Sequence, residues 1–231
     1  MGTTASIRLP PLGPMHFSYR VAYYSFRALY ATYFRWRVFH PERIPATGPV
    51  ILASNHASFM DPPLIGAGIR RRVNYLARNT LFKVPVVGAM MRSWRVVPVD
   101  REGGGAAGLK GIWDRLSDGG VILLFPEGTR TDTGRLRAAK SGVGLVVIKS
   151  TAPVVPVRVF GSFAAYGRHL RWPRPRRLMV KYGHPLDFRE LRAEARTCSQ
   201  PRLKEIYQAT SDQIMAAIAR LEPCKDVREF P

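Results

Sequence analysis

Short apolar runs alternate with longer amphipathic segments through most of this chain. The apolar runs are bounded by turn residues and predict strands at 50–53, 73–76, 94–99, 121–125, 154–160 and 178–183. The segments between and after them carry apolar residues at helical spacing, which predicts helices at 62–68, 84–91, 106–116, 141–150 and 201–221. This alternation predicts an α/β domain whose mixed sheet is flanked by helices.

His56 and Asp61 follow the first apolar run, five positions apart. On a continuous helix this separation turns the side chains about 140° away from each other, so they can meet only if the chain turns. Asp61 precedes Pro62, which disfavours helical angles at Asp61 and suits the first turn of a helix. Asp61 is therefore predicted to be the N-cap of the helix at 62–68, beside His56.

A carboxylate next to an imidazole has a chemical consequence. It fixes the tautomer by accepting from one ring nitrogen and leaves the other nitrogen free to act as a base. A capping aspartate near an ordinary loop histidine explains the same residues. Both interpretations of His56 and Asp61 stay open at this point.

The sequence Phe-Pro-Glu-Gly-Thr-Arg at 125–130 follows another apolar run. Its proline and glycine predict a tight turn, which would expose Glu127, Thr129 and Arg130 at the strand end, where α/β sheets commonly bind ligands. The Arg130 guanidinium presents a fork of donors that suits a phosphate, and Thr129 and the turn amides can assist. Glu127 can pair with Arg130 or accept from a substrate hydroxyl. A surface salt bridge on the turn is the alternative.

The segment 16–40 is rich in aromatic residues and arginines and contains no proline or glycine, which predicts a helix. The arginines interrupt every apolar run well before the roughly 18 residues that a membrane span needs. Aromatic residues with arginines are typical of a helix that lies in a membrane interface. We therefore divide the chain into a membrane-associating amphipathic segment, 1–44, and a domain, 45–231. A helix packed on its own domain is the alternative.

The formal charge of +20 and the isoelectric point near 11.0 favour an anionic partner. Nucleic acid, an acidic lipid surface and phosphorylated substrates all meet this description. The chain has two cysteines, Cys198 and Cys224, which indicates a reducing compartment rather than a disulfide framework. No metal-ligand spacing and no glycine-rich nucleotide motif occurs, so no metal is expected.

Several blocks in order resemble the glycerolipid acyltransferase family, the 1-acylglycerol-3-phosphate acyltransferases and their relatives. The strongest are Asn55-His56-Ala-Ser-Phe-Met-Asp61 and the turn at 125–130. Val97-Pro-Val-Asp-Arg101 is similar to the second block of the family, and Val154-Val-Pro-Val157 with the following Gly161 is similar to the fourth. The resemblance covers about residues 45–186 and implies a single acyltransferase domain preceded by the N-terminal helical segment.

The resemblance implies transfer of a fatty acyl group from a thioester to the free hydroxyl of 1-acylglycerol-3-phosphate, giving phosphatidic acid. The donor would be acyl-CoA or an acyl carrier protein, without a covalent acyl-enzyme and without a cofactor. His56 would be the general base, oriented by Asp61. Arg101 and Arg130 would hold the phosphate, and Glu127 and Gly128 would position the glycerol part. The residues expected to bind substrates are Arg78, Arg101, Glu127, Gly128, Thr129 and Arg130.

One departure from the family concerns the acceptor. Many relatives have a lysine pair after the first block, whereas this chain has Arg78 and Asn79, which keeps only one of the two charges. The same chemistry on glycerol-3-phosphate, another lysophospholipid or an aminolipid hydroxyl therefore stays open. A basic module that binds nucleic acid or anionic lipid without catalysis would explain the charge, but not His56 with Asp61 or the turn containing Glu127.

The location follows from the substrates that the resemblance implies. Both are anionic and the acceptor lies in a bilayer, so a basic protein with an interfacial helix suits them. We expect a peripheral or monotopic protein on the cytoplasmic face of a membrane that contains anionic lipids. The lysophospholipid acceptor and the acyl-CoA or acyl carrier protein donor are the other expected partners, and nucleic acid is not.

Overall fold

Strands and helices alternate through the part of the chain that the computed structural model describes, residues 17–94, 96–99 and 106–223. The strands are β1 Arg37–Phe39, β2 Val50–Ser54, β3 Val73–Asn74, β4 Leu76–Arg78, β5 Val97–Val99, β6 Val121–Leu124, β7 Val154–Phe160 and β8 Met179–Tyr182. The helices are α1 Phe17–Thr32, α2 Asp61–Ala67, α3 Asn79–Phe82, α4 Pro85–Ser93, α5 Ala106–Ser117, α6 Ser141–Lys149, α7 Ser162–Tyr166, α8 Arg189–Glu194 and α9 Gln200–Arg220. A 3-10 turn covers Pro41–Arg43.

Six strands form one twisted sheet in the order β1-β8-β7-β2-β6-β3. Neighbouring strands are parallel except for β7 and β8, which are antiparallel. Strands β4 and β5 form a separate parallel pair. The predicted α/β fold with a mixed sheet flanked by helices is confirmed.

Both faces of the sheet are covered by helices. On β2, Val50 and Leu52 join the apolar cluster that contains residues of α1 and α2. Ile51 and Ala53 point to the opposite face and join the cluster formed by α5, α6 and α9. A strand that is buried on both faces has no exposed position, which explains the apolar run from Val50 to Ala53. The loops that follow β2 and β6 leave the sheet at the same edge, because the two strands are parallel.

The helix predicted over 16–40 is shorter, because α1 ends at Thr32. The chain then reverses at Arg35, which has a positive φ of 45°, and continues into β1 beside β8. Tyr30 and Phe34, at 1% and 2% exposure, pack into the sheet cluster and hold this reversal. The division of the chain at residue 44 stays a prediction.

Two predicted strands also differ from the structure. The run at 73–76 divides between two sheets, with β3 in the main sheet and β4 paired with β5. The run at 94–99 forms a strand only over β5. Among the helices of the described residues, none is long and apolar enough to cross a membrane.

Candidate active site

The loop 55–60 connects β2 to α2 and is fixed to neighbouring elements at both ends. Asn55 Oδ1 accepts from the backbone N–H of Val159 at 2.8 Å, and Asn55 Nδ2 donates to the Val159 carbonyl at 3.1 Å. Ser58 Oγ donates to the carbonyl of Tyr166 at 2.7 Å. Buried side chains that bond the backbone in this way restrict the loop to one conformation. This role of Asn55 was missed in the sequence, because its partner on β7 lies 104 positions away.

His56 and Asp61 are in contact. Asp61 Oδ2 accepts from His56 Nδ1 at 2.9 Å and from the backbone N–H groups of Ala57 at 2.6 Å and Ser58 at 2.7 Å. The Asp61 side chain is fully buried. The prediction that Asp61 caps α2 was wrong, because Asp61 is the first residue of the helix and the amides that it accepts from precede it. The loop before the helix folds around the Asp61 carboxylate, and this conformation brings His56 into contact with Asp61.

The His56 ring lies parallel to the ring of Phe125, with 3.9 Å between centroids and 15° between planes. Because the Asp61 carboxylate can only accept, Nδ1 carries the proton and Nε2 has a free lone pair. Nε2 has no hydrogen-bond partner among the described residues, and the side chain is 17% exposed. The ring is thus held by Asp61 and Phe125, while its basic nitrogen can reach a ligand.

The turn at 125–131 holds the backbone of His56 from the other side. Glu127 Oε1 accepts from the His56 N–H at 3.0 Å, and the Thr131 N–H donates to the His56 carbonyl at 2.8 Å. Glu127 is 2% exposed, and within the described residues it forms no ion pair with Arg130. The Glu127 carboxylate therefore positions His56. Its predicted contact with the glycerol part of a substrate stays a prediction.

Burial raises the pKa of Glu127 to about 7, and the charge of Asp61 adds to the rise, while the His56 N–H opposes it. Because the pKa in the folded state lies above the ordinary value of 4.5, the contribution of Glu127 to stability is complete below pH 4.5 and is lost as the pH rises through about 7.

We expect the melting temperature of the wild-type protein to fall over this pH range relative to that of Glu127→Gln, whose amide oxygen can still accept from His56. Thermal melting of both proteins as a function of pH measures the difference. A difference that does not change with pH would show that Glu127 does not titrate in this range.

Arg130 lies over the Phe59 ring, with its guanidinium carbon 3.3 Å from the ring centroid. Its Nη1 is buried and has no hydrogen-bond partner among the described residues. Burial lowers the pKa of Arg130, and the nearby charges of Arg168 and Arg78 lower it further. Arg130 borders a cavity of about 280 Å³. The residues that line this cavity, called the cationic cavity below, are Phe59, Arg130, Tyr166, Gly167, Arg168 and Leu170.

Gly128 and Thr129 shape the turn next to this cavity. Gly128 has a φ of 70°, and an added Cβ would lie 3.0 Å from the Cδ of Lys140, so the position requires glycine. The Lys140 N–H donates to the Pro126 carbonyl at 2.9 Å and closes the turn. Thr129 Oγ1 accepts from Arg168 Nη2 at 2.6 Å. The contact of Thr129 is therefore with Arg168, a residue that the sequence analysis missed.

The structure describes two of the three arginines that were predicted to bind substrate, Arg78 and Arg130. Arg130 borders the cationic cavity, and Arg78, at the end of β4, is close enough to lower the pKa of Arg130. Arg101 lies outside the described residues. Within the described ranges, no group of three or more His, Cys, Asp or Glu residues could hold a metal ion.

Comparison with known proteins identifies the family. Residues 35–160 match the family model described as Acyltransferase. A 1-acyl-sn-glycerol-3-phosphate acyltransferase of Bacillus subtilis is 28% identical over 179 residues, which are 74% of this chain and 87% of that protein. A chloroplastic 1-acyl-sn-glycerol-3-phosphate acyltransferase of Arabidopsis thaliana is 32% identical over 125 residues, 52% of this chain and 35% of the relative.

A solved structure has the same fold. The crystal structure of the 1-acyl-sn-glycerophosphate acyltransferase PlsC from Thermotoga maritima superimposes with a TM-score of 0.62 at 22% identity, over 90% of this chain and 86% of the other. At this identity the likeness shows the fold alone, whereas the family model matches more than half of the chain. The chain belongs to the glycerolipid acyltransferase family and is an O-acyltransferase.

Proposed function

We propose that this protein moves a fatty acyl group from acyl-CoA or an acyl carrier protein to the free hydroxyl of 1-acylglycerol-3-phosphate, giving phosphatidic acid. The observation that carries the proposal is the 2.9 Å bond between His56 Nδ1 and Asp61 Oδ2, which leaves Nε2 free. The cationic cavity, which begins at Phe59 in the same loop, supplies arginines for the phosphate. The relatives named for this reaction support the choice of acceptor.

The proposed reaction returns His56 to its starting state. Nε2 takes the proton of the acceptor hydroxyl while the hydroxyl oxygen attacks the thioester carbonyl carbon. The Asp61 carboxylate stabilises the imidazolium that forms. The tetrahedral intermediate then collapses, the carbon–sulfur bond breaks, and the leaving thiolate takes the proton from the imidazolium.

Nearby hydroxyl groups are placed for structure rather than for covalent catalysis. Ser54 Oγ donates to the Asn55 carbonyl at 3.1 Å, and Ser58 Oγ donates to the Tyr166 carbonyl at 2.7 Å. A serine nucleophile needs a hydrogen bond to its base, and neither hydroxyl makes one to His56. This arrangement supports direct transfer from the thioester to the acceptor.

An assay of several acceptors with one acyl-CoA tests the proposed substrate. The panel contains 1-acylglycerol-3-phosphate, glycerol-3-phosphate, lysophosphatidylcholine and a phosphate-free lyso-aminolipid, with products identified by mass spectrometry. We expect phosphatidic acid to form with the highest kcat/KM, because the arginines of the cationic cavity favour a phosphomonoester. Faster transfer to the phosphate-free acceptor would contradict the proposal.

Helix α1 supports contact with a membrane surface. Tyr19, Tyr23 and Tyr30 are buried against the domain, whereas Phe17, Val21 and Tyr24 are half or more exposed. The neighbouring helix α4 adds further exposed apolar side chains, and Ser18 Oγ lies 3.1 Å from Ser93 Oγ between the two helices. We propose that this apolar face enters the interface of an anionic membrane on its cytoplasmic side, with arginines at the lipid phosphates.

Substitution of exposed residues tests this contact better than truncation, because removal of residues before 41 would also remove the buried Tyr30 and Phe34. The double variant Val21→Asp, Tyr24→Asp is expected to bind anionic vesicles less and to lose activity on bilayer acceptors, while activity on a short-chain soluble acceptor is kept. Vesicle co-sedimentation measures binding.

The matched control for this test is Ala216→Asp on α9, an exposed position on the opposite face of the sheet. It adds a negative charge without touching α1. Equal sedimentation of the double variant and the wild-type protein would place the membrane contact elsewhere.

A further inference from the structure

The cationic cavity brings together two arginines from distant parts of the chain. Arg130 belongs to the turn after β6, and Arg168 lies in the loop after α7, outside all the blocks that resemble the family. The aromatic side chains of Phe59 and Tyr166 and the side chain of Leu170 complete the lining. The cavity volume of about 280 Å³ is enough for a headgroup.

The two guanidinium groups repel each other. After burial, the charge of Arg168 is the largest cause of the lowered pKa of Arg130. Asp132 Oδ1 accepts from Arg168 Nη1 at 3.2 Å and offsets part of this repulsion, but the Asp132 side chain is 59% exposed. Its interaction is therefore weakened by water. A bound anion between the arginines would remove the remaining repulsion.

Contacts of the two guanidinium groups with neighbouring residues orient their donors for such an anion. Asp132 and Thr129 hold one edge of the Arg168 guanidinium, with the Thr129 contact at 2.6 Å. The Phe59 ring packs against the Arg130 guanidinium, whose buried Nη1 has no partner among the described residues. A buried donor without an acceptor is costly, so a shift of the Arg130 side chain toward a ligand oxygen in the cavity would be favoured.

We propose that Arg168 and Arg130 form a two-arginine clamp for the phosphomonoester of the acceptor, and that Arg168 is the residue that selects this headgroup. The inference rests on the proposed acceptor. A phosphomonoester carries about −1.5 to −2 charges at pH 7. It can accept from both guanidinium groups at once, whereas a phosphodiester offers one charge and fewer free oxygens. Arg168 would thus separate 1-acylglycerol-3-phosphate from lysophospholipids with larger headgroups.

The test compares a short-chain 1-acylglycerol-3-phosphate with its phosphate methyl ester, both soluble, as acceptors for one acyl-CoA. In Arg168→Gln we expect the KM for the phosphomonoester to rise about 10- to 100-fold, the range for a charge-assisted hydrogen-bonded pair. The preference for the phosphomonoester over the methyl ester should fall by the same factor. The KM for acyl-CoA should not change. Arg168→Lys should restore only part of the preference, because lysine lacks the fork.

Arg174→Gln is the matched control, since it removes an exposed arginine of the same loop that does not line the cavity. Three results would overturn the inference. An equal loss on both acceptors would make Arg168 structural. A rise only in the KM for acyl-CoA would assign the clamp to the phosphomonoester of the donor. The same loss in Arg174→Gln would indicate a general effect of charge.

An error in the proposed acceptor would be seen separately from an error in the clamp, because the wild-type protein would then not acylate the phosphomonoester. Calorimetric titration with glycerol 3-phosphate, without any acyl donor, tests the clamp independently of turnover. We expect Arg168→Gln to bind this probe about 10-fold or more weakly than the wild-type protein does. Equal binding by the two proteins would contradict the clamp.

Discussion

Replacement of His56 with alanine is expected to lower turnover about 100- to 10,000-fold, the range for loss of a general base. The acceptor hydroxyl is a weak nucleophile until a base takes its proton, and His56 Nε2 is the free base in the loop that also contributes Phe59 to the cationic cavity. The fold should persist, because the His56 ring is partly exposed and its backbone bonds to Glu127 and Thr131 do not need the side chain. Steady-state assays with saturating acyl-CoA and acceptor measure the effect.

The control for this variant is His184→Ala, which removes an exposed histidine after β8. It should keep wild-type turnover. Thermal melting of both variants shows whether the loss of activity follows from chemistry or from unfolding. Near-normal turnover in a folded His56→Ala protein would contradict the assignment of the base.

The second large effect is expected for Asp61→Asn, with a loss in turnover of roughly two to four orders of magnitude. An amide is uncharged, so it stabilises the imidazolium less, and its NH₂ group can donate to Nδ1. That would place the histidine proton on Nε2 and block the base. Oδ2 accepts all three bonds of Asp61, so an NH₂ group in its place would also lose the bonds from the N–H groups of Ala57 and Ser58.

Stability must be measured together with activity in Asp61→Asn. The lost charge-assisted bonds should lower the free energy of unfolding by about 1–3 kcal/mol. Denaturant titration gives this value, and assays well below the melting temperature give the turnover of the folded enzyme. If turnover per folded molecule is unchanged, Asp61 supports the loop without assisting His56.

The strands and the α/β class could be predicted because burial on both faces leaves a direct mark on the sequence. The run at β6 is apolar throughout, and β2 and β7 contain one polar residue each, Ser54 and Arg158. The end of α1 could not be predicted, because the spacing of aromatic residues suits a helix through residue 40. The chain leaves that helix to pair Arg37 with Met179, a contact between distant parts of the chain that local periodicity does not encode.

The candidate site shows the same division between local and distant contacts. The His56–Asp61 contact was predicted from a turn within one short stretch of sequence. The same stretch led to the wrong prediction that Asp61 caps the helix, whereas Asp61 is its first residue. Glu127 accepts from the backbone N–H of His56, 71 positions earlier in the chain. The place of Arg168 depends on Thr129, 39 positions away. Neither of these two contacts belongs to a short motif.

In the proposed reaction the acyl group passes directly from the thioester to the acceptor hydroxyl, with His56 as the base. The mass of the intact protein, recorded during a single turnover with enzyme in excess over acyl-CoA, tests it most directly. We expect phosphatidic acid to form while the protein mass never increases by the mass of an acyl group. An acylated protein that forms and decays at the rate of turnover would contradict it.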